Sequence, residues 1–178
     1  MPAAWLGLME RGGEEHRVYD ASPTYFKATY PGRCGFTVVA GPVYPGLAEA
    51  LPGEYLERLR LGNEYFGDDV RLEGVTREGG RLVILTSQPT VVGDAAEPEE
   101  IIAFMRARRL LLLDGIAAGH RGALCFYRDL DNLAVFDAHP ANVLRDENGV
   151  ILPIDLILLT AGDELAAQLE AACEARAC

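Results

Sequence analysis

Asp137-Ala138-His139-Pro140-Ala141-Asn142-Val143-Leu144-Arg145-Asp146-Glu147-Asn148-Gly149-Val150-Ile151-Leu152-Pro153-Ile154-Asp155 sets Asp137, Asn142 and Asp155 around a turn signal within nineteen residues. Asn148-Gly149 between two apolar runs predicts a hairpin with a two-residue type I′ turn. In that register Glu147 faces Val150, Arg145 faces Leu152, and Asn142 comes near Asp155. Facing residues of an antiparallel pair stand about 4.5–5.5 Å apart at Cβ, close enough for an amide and a carboxylate oxygen to share one small hard cation, and such ligands suit magnesium. Asp137 precedes Asn142 by five residues across a Pro-containing loop and is expected at the same end of the hairpin. Asp and Asn beside Gly and Pro are also ordinary turn residues. It is the spacing that argues for convergence of Asp137, Asn142 and Asp155.

Working outward, residues 123–129 (ALCFYRD) and 133–137 (LAVFD) read as strands, and the segment 163–177 reads as an amphipathic terminal helix. Upstream, Glu97-Pro98-Glu99-Glu100 opens a helix expected to run through IIAFMRARRLLLL (101–113), with acids placed at its positive end. Residues 71–75 and 81–87 form a hairpin around Glu78-Gly79-Gly80, whose second strand ends at Ser87-Gln88-Pro89. The segment 53–66 has Tyr55, Leu59 and Phe66 at helical spacing, with Glu54, Glu57 and Glu64 on a neighbouring face. Residues 15–20 and 24–30 form a hairpin after Gly12-Gly13, which puts Lys27 in mid-strand; the Gly/Pro-rich stretch 31–52 shows only a strand at 36–40.

The 178 residues suit a single domain or two lobes, and 49% apolar content supplies a core. A net charge of -11 argues against a nucleic-acid backbone as partner. No apolar run reaches the length of a membrane span and no signal-type segment opens the chain, so a cytoplasmic protein with no membrane partner is expected. Cys34, Cys125, Cys173 and Cys178 show no metal-type spacing. Fifteen arginines accompany one lysine, Lys27. Either it is a chance survivor of an arginine bias, or position 27 needs a compact ammonium.

Asp137-Ala138-His139-Pro140-Ala141-Asn142, followed by a hairpin and Ile154-Asp155, resembles the catalytic loop of the protein-kinase-like and aminoglycoside-phosphotransferase-like superfamily, which reads D-x-H-P-x-N or D-x-K-P-x-N before a metal-binding Asp. It looks nearest to the polyvalent-protein kinase group of phages and bacteria. The glycine pair, the strand lysine, the acidic helix and the strand end at Ser87-Gln88-Pro89 follow in the family's order. The resemblance implies an α+β, reduced two-lobed protein-kinase-like fold. Residues 1–89 would be a small β-rich N-lobe with one helix, and residues 90–178 a truncated C-lobe with the catalytic loop.

The roles implied are those of ATP-dependent phosphoryl transfer with magnesium. Asp137 accepts the proton of a hydroxyl on a protein or small molecule, while Asn142 and Asp155 hold magnesium. Lys27 binds phosphate oxygens, paired with Glu57 or else Glu64; Gly12, Gly13 and Glu14 approach the phosphates; Gln88 sits in a hinge whose backbone meets the adenine edge. His139 would stabilise the loop, and His16 and His120 carry no signal. The chain departs from the family in GGEEH at 12–16, in Pro153 before Ile154 and in Leu156-Ile157 after Asp155, and it has no room for a protein-substrate platform. Two other functions compete: a nucleotide-binding or interaction module without catalysis, and a metal-dependent hydrolase using Asp137, His139 and Asp155.

Overall fold

The computed structural model describes residues 6–7, 9–11, 13 and 15–174. Gly12 and Glu14 fall outside them. The chain is α+β and divides into two compact units, one of residues 1–36 and 49–90, the other of residues 37–48 and 91–178. Residues 37–48 therefore belong to the second unit although the chain on both sides of them belongs to the first. Among the described residues no helix is long and apolar enough to cross a membrane.

The first unit begins with strands β1 (Glu10–Arg11), β2 (His16–Asp20) and β3 (Thr24–Thr29), where Lys27 faces Val18 in the β2–β3 register. Next in the chain, with residues 37–48 belonging to the second unit, come β4 (Phe36–Val39) and β5 (Gly46–Glu49), which form a two-stranded ribbon. Helix α1 (Pro52–Phe66) starts on a proline, Glu54 reaches back to the Leu51 amide at 2.6 Å, and Gly67 closes it with φ 69°. Strands β6 (Arg71–Glu78) and β7 (Arg81–Pro89) complete an antiparallel sheet in the order β1-β2-β3-β7-β6. Asn63 imitates a strand partner at the sheet margin by bonding both the amide and the carbonyl of Val70, at 2.8 and 2.7 Å. Tyr55, Ile84 and Cys34 form one buried cluster of this unit.

In the second unit, β8 (Asp94–Ala95) precedes helix α2 (Pro98–Arg106) and β9 (Leu111–Leu112). The helix was expected to reach residue 113, and it ends seven residues earlier. Arg109 takes φ 61°, a left-handed turn that breaks the helical path, and Leu111-Leu112 then pair with Tyr127 and Phe126. A short leucine run satisfies either a helix face or a buried strand, so periodicity could not decide. Strands β10 (Leu124–Arg128), β11 (Leu133–Ala138) and β14 (Ile157–Thr160) join β9 in the order β14-β11-β10-β9. Between β11 and β14, β12 (Val143–Arg145) and β13 (Ile151–Pro153) form the expected hairpin, extended on its other edge by β8. Helix α3 (Asp163–Glu174) follows, and Gln168 on it clasps Gly41, accepting from its amide at 3.4 Å and donating to its carbonyl at 2.6 Å.

The hairpin register differs by one residue from the expected one. Arg145 faces Ile151 and Leu144 faces Leu152, because the turn holds three residues, Glu147-Asn148-Gly149, closed by Asp146 and Val150. The Asp146 carboxylate takes the amides of Asn148 at 2.9 Å and Val150 at 2.7 Å, and Gly149 stands at φ 79°. A three-residue loop with Gly in the left-handed position is the next commonest hairpin after the two-residue form.

Candidate functional site

Asp137 sits where strand β11 carries an extra residue. Phe126 pairs with Val135 and Leu124 with Ala138, so Phe136 and Asp137 together oppose Cys125 alone. Asp137 adopts φ 61° at this bulge. A bulge re-aims the side chains around it, and a left-handed non-glycine residue persists only where its surroundings hold it.

Those surroundings are dense. Asn142 donates from its amide nitrogen to the Asp137 carboxylate at 3.0 Å, to the Asp137 carbonyl at 3.1 Å and to the Asp155 carbonyl at 3.1 Å. One amide thus ties Asp137, five residues upstream, to Asp155, thirteen downstream. The other Asp137 oxygen accepts from the His120 backbone amide at 2.5 Å. His139 Nδ1 accepts from the Ala141 amide at 3.3 Å, which makes Nε2 the protonated nitrogen of the neutral ring, and Nε2 lies 3.8 Å from Asp137 Oδ1. The imidazoles of His120 and His139 lie against each other, tilted by 33°, with centroids 4.8 Å apart. Behind Asp137 burial pushes the Cys125 thiol up from its usual pKa, so this cysteine stays protonated.

Asp137, Asn142 and Asp155 are therefore brought together, with one correction. The one-residue slip sets Ile154 against Asn142, through an Ile154 amide to Asn142 carbonyl bond of 2.9 Å, and Asp155 is reached through its main chain. Because the amide nitrogen of Asn142 is committed three times over, its side-chain oxygen is the atom left to act as a ligand. That oxygen and the Asp137 and Asp155 carboxylates are hard donors, the set that suits magnesium.

The residues expected around a nucleotide fare differently. Lys27 is half-buried on β3 and forms no ion pair among the described residues. Glu57 and Glu64 do not turn to it: both bind Arg60, three and four residues away on the same helix, Glu57 at 2.8 Å. Near neighbours on a helix surface meet without any chain closure, so they win over a strand partner. The strand-to-helix ion pair of this unit has the opposite polarity, with Arg58 of α1 bound to Glu15 just before β2 at 2.9 Å. Gln88 is buried and bonds Asp68 with its side chain. The backbone expected to serve as a hinge is paired in the sheet: Ser87 pairs with Phe26 on one side and Arg71 on the other, Gln88 pairs with Tyr25, and the Thr90 amide bonds the Pro23 carbonyl. Gly13 is exposed at φ 125° with its carbonyl on the Tyr30 hydroxyl, and Gly12 lies outside the described residues.

Sequence reasoning missed Gly119-His120 and the Glu15–Arg58 pair. The first had only a glycine-rich stretch as a signal; the second joins residues 43 apart. No family model, curated protein or solved structure matches the chain.

Proposed function

We propose that the chain is a reduced, two-lobed protein-kinase-like phosphotransferase that moves the terminal phosphoryl group of ATP to a hydroxyl of a protein or small molecule. The observation that carries this reading is the Asn142 amide, bonded at once to the Asp137 carboxylate and the Asp155 main chain. It makes one unit of the three residues that the loop resemblance singles out. The Asp137 carboxylate orients the acceptor hydroxyl and takes its proton as the oxygen bonds to the γ-phosphorus and the bond to the β-phosphate oxygen breaks, releasing ADP. The Asn142 side-chain oxygen and the Asp155 carboxylate would hold magnesium. The ion, when bound, neutralises charge on the phosphate oxygens. Lys27 adds a cation for the phosphates.

A second reading, a nucleotide-binding module without transfer, is favoured by Lys27 lacking a carboxylate partner among the described residues. Calorimetry with ATP, with and without magnesium, followed by a transfer assay on the protein itself and a mixed lysate, separates the two. Asp155→Asn is expected to abolish magnesium-supported ATP binding. Asp137→Asn is expected to keep binding and lose about 10²–10⁴ in transfer rate, the usual share of a general base. If the protein binds magnesium-ATP but Asp137→Asn changes no reaction, the module reading stands; if magnesium has no effect on the parent protein, both readings fall.

A further inference from the structure

We infer that Gly119-His120 is a positioning element for the Asp137 carboxylate, a second clamp that approaches it from outside the catalytic-loop segment. Its catalytic meaning rests on the phosphotransferase reading, whereas the clamp itself stands on geometry alone. Two observations carry it. The His120 amide donates to Asp137 Oδ1 at 2.5 Å, while Asn142 holds Oδ2 at 3.0 Å. Each oxygen is thereby pinned by a different segment, and rotation of the carboxylate would break both bonds.

Position 119 also admits no side chain. A Cβ there would lie 2.7 Å from the Cβ and Cγ of Asp137 and closer still to Oδ1, and Gly119 stands at φ 111°. The absence of a side chain is what lets the His120 amide close on the carboxylate. A turn fixes that amide's direction, since the Ala123 amide bonds the His120 carbonyl at 2.9 Å. The His120 ring lies tilted against His139, whose Nε2 is 3.8 Å from the same Oδ1. A carboxylate has about four acceptor sites, so with one neutral donor on each oxygen it still has a lone pair for an incoming hydroxyl.

Misplacing a catalytic group by about 1 Å typically costs on the order of 10² in rate. Gly119→Ala is therefore expected to lower kcat by about 10² while the KM for ATP stays within about threefold, a split that general loosening of the fold would not give. Independently of activity, melting temperatures are compared for Gly119→Ala in the parent and in Asp137→Gly. The strain of φ 111° is common to both backgrounds. The collision with Asp137 exists only in the parent, so the loss should be clearly larger there. Equal losses would overturn the clamp. If Gly119→Ala folds in neither background, the His120 amide decides by NMR: an upfield move and faster exchange in Asp137→Gly support the clamp, and an unchanged resonance overturns it. If the parent protein transfers no phosphate at all, the phosphotransferase reading falls, and the melting cycle still passes judgement on the clamp.

Discussion

Arg58 is 5% exposed, an unusual position for a guanidinium, and Glu15 answers it with both carboxylate oxygens at 3.0 and 2.9 Å from one nitrogen. The same carboxylate accepts the Phe36 amide at 3.0 Å. Removing one partner of a buried pair leaves the other charge uncompensated, which typically costs about 3–5 kcal/mol. Arg58→Ala should thus shift the urea midpoint strongly, and Arg60→Ala, on the exposed face, should lose less than about 1 kcal/mol. Equal losses would mean that Arg58 is not sealed from water. None of this was visible in the helix itself, where Arg58 reads as one more charge between Glu57 and Arg60. Its partner lies 43 residues upstream, and no local pattern encodes that distance. The Asp137–Asn142 contact is different. Asp137 lies at the end of β11 and Asn142 just before β12, five residues apart, so their meeting was legible before any fold was known.

At the scale of elements, local signals placed most strands and helices, and turn chemistry decided the rest. Asn148-Gly149 read as a two-residue turn because Asn-Gly favours it; Asp146 overrode that preference by taking two amides of the loop. The Val150 amide above all, aided by the side chain and amide of Asn148, holds the Asp146 carboxyl below its usual pKa. A lowered folded-state pKa stabilises the hairpin above the unfolded value, near 3.9, and the benefit is lost as pH falls through the folded-state value. The Asn148 and Val150 amides should therefore stay protected at neutral pH and open in acid below the ordinary aspartate range, as seen by NMR exchange. Asp146→Asn should flatten that pH dependence. A protection profile identical in the mutant would assign the turn to Gly149 alone. Strand order across the sheets was not legible: β3 lies beside β7, and β12 beside β8, and such pairings depend on distant chain.

For the whole molecule, the loop resemblance implied an α+β chain, and the α+β class holds. It did not foretell that each unit is assembled from two separated stretches, because the Gly/Pro-rich segment 31–52 carries little periodicity. A fragment of residues 91–178 lacks Gly41, and Gln168 then loses both of its bonds to that backbone. Circular dichroism should show that fragment less helical and less cooperative in melting than the second unit within the intact protein. Adding a peptide of residues 37–48 should restore part of the signal, and a fragment that melts sharply without it would show the ribbon to be dispensable. The same clasp has a consequence on the ribosome. Gly41 and Gln168 are separated by 127 residues, and at about 5–20 residues per second the early segment emerges roughly 6–25 s before its partner. Nascent chains therefore carry Val43, Tyr44 and Leu47, all still exposed after folding, through that interval without the helix that will hold their ribbon.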